Sequence, residues 1–324
     1  MKAWVVEEYS GLGGLVLKDV PEPQPGPGQY LVRISHAGVN FFDTLMTRGE
    51  YQVKPPLPFV LGIEAAGEII AAGPGTTLPV GTRVAGAAAT GAYAEQALFE
   101  ASATYETPAG MNDGQAMVLR GNYMTSYYAL KFAGNLKAGE TVLVLAAAGG
   151  VGSAALDIAK ALGARVIAAA RGQEKIELCR ELGANAAYDY GDPDWAKKIR
   201  EDYGSDAIDV VYDPVGGDLG LAALRLVGWN GRYLVIGFTS GTIPDLPANR
   251  LLIKNASAIG VLYGVVARKH PEIPRQMREE LLALFSAGKL SPKVSPAIGM
   301  QDLPDALERI ANRDTVGKVV VAIS

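Results

Sequence analysis

The residues with the clearest chemical purpose lie at 146–152, in the run Ala-Ala-Ala-Gly-Gly-Val-Gly. The run follows an apolar, partly β-branched stretch at 141–146, which reads as a strand buried on both faces. It opens a segment with apolar residues at 151, 154, 155, 158, 159 and 162, a helical period closed by Gly163. A glycine turn between strand and helix is the setting a dinucleotide fingerprint requires. Gly149 and Gly152 match the second and third glycines of G-x-G-x-x-G, and Ala147 stands at the first. Gly149 lets backbone approach a pyrophosphate, and Gly152 lets the helix pack on its strand. Ala148, Gly150 and Val151 complete the turn at the helix N-terminus, where N–H groups and the positive dipole end face an anion. The competing reading is a glycine-rich turn without a ligand.

The end of the next strand, 165–170, selects between the two nicotinamide cofactors. NAD-specific folds place an acid there for the ribose 2′-hydroxyl. Here Arg171 stands 19 residues after Gly152, followed by Gly172 and Lys175, and no carboxylate occupies the strand end. A 2′-phosphate carries about −1.5 to −2 charge near neutral pH, so these cations favour NADP. Alternatively Arg171 and Lys175 are solvated charges with Glu174 and Glu177 as helix partners.

Composition narrows the rest. The 324 residues hold two histidines and one cysteine. One cysteine forms no internal disulfide, no four-cysteine zinc site, no haem attachment and no iron–sulfur ligand set. A catalytic zinc would need His36, His270, Cys179 or carboxylates to converge, and their spacing gives no sign of it. The net charge of −4 lacks the basic excess of a nucleic-acid binder. No uncharged apolar run reaches the ~18 residues of a membrane span, and no secretory signal is apparent. The default expectation is a cytoplasmic, reducing location without membrane or nucleic-acid partners.

These residues need elements to position them. Residues 1–112 are rich in Pro, Gly and short β-branched runs, such as 30–35 and 67–72, with dense turns at 21–28, 73–75 and 79–81. That texture predicts an antiparallel, partly barrel-like β domain. From 113 the pattern changes to a helical stretch at 115–132 and then to alternating units: strands at 141–146, 165–170, 186–188, 208–212, 232–236 and 257–261, with helices at 151–162, 173–182, from about 193, and at 219–227. Repeated βα units predict a parallel, doubly wound sheet. An amphipathic helix at 274–287 follows, and a terminal strand at 316–323 is expected to return to the first domain.

The chain resembles the zinc-independent, zeta-crystallin-like quinone oxidoreductases of the medium-chain dehydrogenase/reductase superfamily, over nearly its full length. The resemblance is carried by segments 38–44 (Gly-Val-Asn-Phe-Phe-Asp-Thr), 56–64, 91–95, 146–152, 209–217 and 317–320. It implies an α/β protein: a GroES-like, partly open β-barrel substrate domain from 1–112 and 263–324, and a Rossmann domain of doubly wound parallel sheet at 113–262. NADPH would bind in a cleft between them. Zinc-containing relatives have Cys at the Asn40 position and His at the Ile63 position. Ile has no donor atom and an Asn amide is a poor zinc donor, so no metal site is expected. Hydride transfer would then go to a quinone or activated enone, with positioning supplying much of the rate.

By the same resemblance Asn40 faces nicotinamide and substrate, and Tyr51 lines the pocket with a phenol able to donate a hydrogen bond or relay a proton. Thr125 and Tyr128 match the segment near the nicotinamide amide, Tyr190 the aromatic on adenine, and Gly237 and Phe238 the backbone near nicotinamide. Arg313 matches a basic residue that reaches the 2′-phosphate. Leu45 stands where several quinone reductases have an aromatic, which implies a more open or aliphatic pocket. Two alternatives stay in view. One is an NADPH-dependent enoyl or acryloyl thioester reductase, with Arg48, Lys54 and Arg250 as a rim for coenzyme A. The other is a non-catalytic NADPH-binding structural or regulatory protein. The family forms homodimers through the Rossmann sheet edge, and 257–266 is apolar enough to supply a covered edge.

Overall fold

A computed structural model describes residues 1–323. Contacts divide it into two compact units, Met1–Gly121 joined by the chain from Lys293 onward, and Asn122–Pro292. Both divisions fall later in the chain than the boundaries read from sequence, 112/113 and 262/263.

The first unit opens with strands β1 (Lys2–Val6), β2 (Leu15–Asp19) and β3 (Gln29–Gly38), then helix α1 (Phe41–Thr47). Strands β4 (Phe59–Val60), β5 (Glu64–Ala72), β6 (Arg83–Ala87), β7 (Gln96–Glu100) and β8 (Tyr105–Glu106) follow, and then α2 (Asp113–Val118). β1 lies between β2 and β4 in a small antiparallel sheet. β3 is the spine of the larger sheet and pairs antiparallel with both β5 and β7. Tyr30, Val32 and Ile34, two residues apart, are buried on one face, and on the other Leu31 is buried and Arg33 exposed, so the second face is covered only in part. Two irregularities in the β3–β5 register, at Leu31/Val32 and Ile34/His36, bend the sheet.

The second unit begins with α3 (Met124–Tyr127), part of a helical stretch that includes π turns at Leu119–Tyr123 and Tyr128–Ala133. Its βα units are β9 (Thr141–Leu145), α4 (Gly150–Ala161), β10 (Arg165–Ala170), α5 (Gln173–Glu181), β11 (Ala186–Asp189), α6 (Trp195–Tyr203), β12 (Ile208–Asp213), α7 (Gly217–Leu224), β13 (Val227–Val235), α8 (Ala248–Lys254) and β14 (Ser257–Gly260). The sheet order is β11-β10-β9-β12-β13-β14, and every neighbouring pair is parallel. β9 is buried throughout, as an unbroken apolar run requires when helices cover both faces. The order reverses between β9 and β12, and in such sheets ligands bind outside the carboxyl ends of the strands at that point. Helices α9 (Tyr263–Lys269) and α10 (Glu272–Ser286) complete the unit. On α10, Glu280 accepts hydrogen bonds from Tyr127 Oη at 2.8 Å and Lys131 Nζ at 2.9 Å.

The chain then returns to the first unit through β15 (Ile298–Gly299), α11 (Leu303–Ala311) and β16 (Val320–Ala322). β16 pairs antiparallel with β3, Val320 opposite Gly38 and Ala322 opposite His36. The terminal strand therefore returns where the sequence placed it, and it carries Lys318 to the end of β3. No helix among the described residues is long and apolar enough to cross a membrane.

Two local expectations change. Residues 262–266, read as a continuation of the edge strand, turn into α9 at Tyr263. A short apolar run has no period of its own to separate strand from helix. The helix read at 219–227 ends with α7 at Leu224, and Val227 already belongs to β13. Asn230, with φ +58, and the register shift between Ile208 and Val210 make that strand irregular and hide it from pattern reading.

Candidate active site

In the second unit the sequence-predicted residues gather at the carboxyl edge of the parallel sheet. β9 ends at Leu145, and Ala146 turns the chain with φ +47. Gly149 caps α4 with extended backbone and, being glycine, without a capping side chain, and the first turn holds no acid. Ala148 is buried. A Cβ on Gly152 would lie 2.2 Å from the Ala146 carbonyl oxygen and 2.8 Å from Ala147 Cα, so glycine is what allows α4 to start this close to β9. Ser126 fixes the preceding helical stretch beside this turn, donating to the Val151 carbonyl at 2.9 Å and sharing a hydrogen bond with Tyr212 Oη at 2.9 Å. Thr125 and Tyr128 flank that anchor. Tyr128 lies 6.3 Å from the Phe132 ring and 6.0 Å from the Tyr263 ring.

One strand outward, Arg171 is exposed immediately after β10, and Gly172, with φ +86, caps α5, which carries Lys175. Ala170 pairs with Asp189, and Tyr190 donates its N–H to the Ala170 carbonyl at 3.0 Å. Arg171 and Tyr190 thus leave adjacent strands side by side. On the other side of the switch point, Asp213 ends β12. It accepts from the backbone N–H groups of Val215 (2.7 Å) and Gly216 (2.9 Å) and from the Tyr233 phenol. Its own carbonyl accepts from Ile236 N–H at 2.9 Å, and Thr239 N–H donates to Pro214 O at 3.1 Å, which holds Gly237 and Phe238 beside the β12 turn. Burial raises the Asp213 carboxyl above its usual range. Asp213 lies in segment 209–217, which carries the resemblance, but its residue type alone assigned it no role.

Asn40, Tyr51 and Arg313 belong to the first unit. Asn40 ends the extended chain after β3 and caps α1, and Asp43 reaches back to accept its N–H at 2.8 Å. Tyr51 stacks on Phe42 with ring centres 5.3 Å apart. Arg313 follows α11 with φ +62 and lies on the surface. Around Asn40 is a buried polar cluster that sequence reasoning missed. Asn40 Nδ2 donates to Glu64 Oε1 at 3.1 Å and Gly38 O at 3.2 Å. Lys318, only 3% exposed, donates to Asn40 Oδ1 at 2.7 Å and is ion-paired with Glu64. Tyr93 donates to Asp43 Oδ2 at 2.6 Å. Each of these residues lies in a segment that carries the resemblance. The signal that could have marked the cluster is a lysine at the head of the apolar run 319–323.

Burial pushes the Asp43 carboxyl up to about 7, against the hydrogen bonds from Tyr93 and Asn40 N–H and the charge of Lys318. Among the described residues its Oδ1 has no hydrogen-bond partner. In the unfolded chain the group titrates near 4. The folded form therefore binds more protons between about pH 4 and 7, and stability falls as pH rises through that window. Raising a carboxyl by this much corresponds to roughly 4 kcal/mol. Asp43→Asn keeps the shape and both accepted bonds without a titration. Its melting temperature should match wild type near pH 5 and exceed it near pH 8, and parallel pH slopes for the two proteins would contradict this.

Among the described residues no three His, Cys, Asp or Glu side chains gather to hold a metal ion. Residues 26–123 match the alcohol dehydrogenase GroES-like domain, and residues 150–286 match the zinc-binding dehydrogenase family. The chain is 38% identical over 300 residues to a quinone oxidoreductase-like protein 2 homolog of Nematostella vectensis, covering 91% of this chain and 82% of that one. The chain belongs to the quinone oxidoreductase family of the medium-chain dehydrogenases/reductases. Its relatives include solved structures. A mycobacterial protein complexed with NADPH is 34% identical, with TM-score 0.92 and full coverage of both chains. The Escherichia coli quinone oxidoreductase complexed with NADPH is 27% identical, with TM-score 0.90 and full coverage of both chains. The family fold is the one described above: a GroES-like domain and a Rossmann parallel sheet.

Proposed function

We propose that this chain is an NADPH-dependent oxidoreductase that passes hydride to a quinone or another electron-poor conjugated carbonyl without a metal. The observation that carries the reading is the carboxyl edge of the parallel sheet. There an uncapped, acid-free helix N-terminus at 149–152 stands one strand from Arg171 and Lys175. The turn fits a pyrophosphate, because Gly149 brings no capping side chain and the first turn holds no acid, and the cations fit a 2′-phosphate. The NADPH complexes of the mycobacterial and Escherichia coli relatives support the same cofactor.

When bound, NADPH supplies the hydride. The chain's own residues bind, orient and shield. Gly149, Gly150, Val151 and Gly152 hold the pyrophosphate, with Ala148 buried beneath the turn. Arg171 and Lys175 hold the 2′-phosphate, and Tyr190 packs on the adenine. Thr125, Tyr128, Gly237 and Phe238 border the nicotinamide. Asn40 faces the nicotinamide beside the substrate, and Tyr51 lines the substrate side, where its phenol is a candidate proton donor. The role of Arg313 rests on the resemblance alone. The donor set supports a metal-free reaction: Ile63 has no donor atom, and the Asn40 amide is already engaged by Lys318 and Glu64.

The thioester alternative would use the rim cations Arg48, which pairs with exposed Glu50 at 3.0 Å, Lys54, which lies over the Tyr9 ring at 5.8 Å, and Arg250. Steady-state oxidation of NADPH with 1,4-benzoquinone, an enone and acryloyl-CoA separates the readings. The proposal expects the highest kcat/KM with the quinone or the enone. Preference for acryloyl-CoA would replace it, and tight NADPH binding without turnover would favour a non-catalytic role.

A homodimer through β14 belongs to the same proposal. β14 is an outer strand of the sheet, and nearby Trp229, Leu252, Ile253 and Leu262 are exposed. Light scattering should give twice the chain mass.

A further inference from the structure

The atoms of the Asn40 amide are assigned by partners whose roles are fixed. An ammonium only donates, so the atom 2.7 Å from Lys318 Nζ is the Asn40 carbonyl oxygen. Glu64, ion-paired with Lys318, accepts, so the atom 3.1 Å from its Oε1 is Nδ2, whose other hydrogen goes to Gly38 O. The carboxylate sits in a space shaped for it. A Cβ on Gly38 would lie 2.2 Å from Glu64 Oε1, and a Cβ on Gly121 2.0 Å from Oε2. Both Asn40 N–H groups are thus directed inward. Among the described residues the oxygen, with two lone pairs, accepts from Lys318 while the Asp43 N–H goes to the Asn40 backbone carbonyl, and Asn40 itself is only partly buried.

We propose that Lys318 and Glu64 are positioning residues that lock the Asn40 amide so that it meets its ligand only as a hydrogen-bond acceptor. The inference rests on Asn40 as a site residue and deepens that reading. The group that Asn40 contacts must bring a donor, a hydroxyl or an N–H, rather than the carbonyl of an oxidised substrate. A lysine and glutamate serving only as a structural ion pair would leave the amide free to turn either end outward.

Lys318→Met alone leaves a buried carboxylate without its counterion, which is strongly destabilising. The pair is therefore removed as a unit in Lys318→Met with Glu64→Gln. That double variant should keep a melting temperature close to wild type and lose about tenfold in NADPH affinity, read by fluorescence titration, or in kcat/KM, the scale of one well-placed hydrogen bond. Wild-type affinity and kcat/KM in the folded double variant would overturn the proposal. A second measurement needs no variant fold and no turnover. In the ligand-free wild type labelled with 15N-asparagine, the Asn40 side-chain signal, identified by its loss in Asn40→Ser, should exchange its protons at least about tenfold more slowly than exposed Asn312, as hydrogen-bonded N–H groups do. Exchange as fast as that of Asn312 would overturn the lock. Absence of NADPH turnover in the wild type would count against the proposed function and leave the exchange result standing.

Discussion

Arg171→Asp lowers kcat/KM for NADPH by about 100-fold or more and leaves kcat/KM for NADH within severalfold of wild type. A hydrogen bond to a charged group contributes about 1.5–3 kcal/mol, and each 1.4 kcal/mol is a factor of ten. The variant removes that attraction and sets a carboxylate against a phosphate of like sign, so the two losses act together. The same carboxylate stands where NAD-specific folds hold the ribose 2′-hydroxyl, which protects the NADH rate. Arg171 is exposed, and the Gly172 turn that presents it is unchanged, so the melting temperature should hardly move. Steady-state kinetics with both cofactors decides the matter. Equal losses with NADPH and NADH, or wild-type efficiency with both, would remove Arg171 from the cofactor site.

Gly152→Val is expected to abolish measurable NADPH binding, with a loss above about 100-fold, and to destabilise the protein by about 1–3 kcal/mol, the range for overpacking. The atoms a side chain would meet, Ala146 O and Ala147 Cα, are backbone and cannot rotate away. α4 must therefore lift from β9, and its N–H groups move with it. Gly264→Ala is the control, because an added Cβ there meets nothing within 4 Å in α9. Isothermal titration with NADPH, alongside thermal melting, reads both effects. Retained binding in Gly152→Val would show that the helix N-terminus does not hold the phosphates.

Both predictions act on residues legible in the sequence, because their logic is local. A turn, a strand before it and a helix after it occupy about twenty consecutive positions, and the Arg171 choice needs only one strand more. The strands of the parallel sheet were readable for the same reason, as apolar runs closed by turn residues, except β13, of which only the second half was read. The polar cluster around Asn40 was not readable in this way. Glu64 lies 24 positions from Asn40, and Lys318 lies 254 from Glu64. What joins them is the pairing of β3 with β5, which brings Glu64, and of β16 with β3, which brings Lys318, both consequences of topology. Leu262 and the residues after it show the opposite limit: an apolar run too short to declare its period, resolved as α9 once the chain left the sheet. Asp43 adds a third kind of omission. Its position at N3 of α1, three residues after the cap Asn40, was local, but its full burial under Tyr93 was not.

The central claim is that hydride passes from NADPH to an electron-poor acceptor on this chain with no metal. It is tested most directly by following NADPH oxidation at 340 nm with 1,4-benzoquinone, before and after exhaustive dialysis against a chelator. The account predicts the same kcat/KM in both preparations, no gain on adding zinc, and a marked preference for NADPH over NADH. Activity that disappears on chelation and returns with zinc would contradict it.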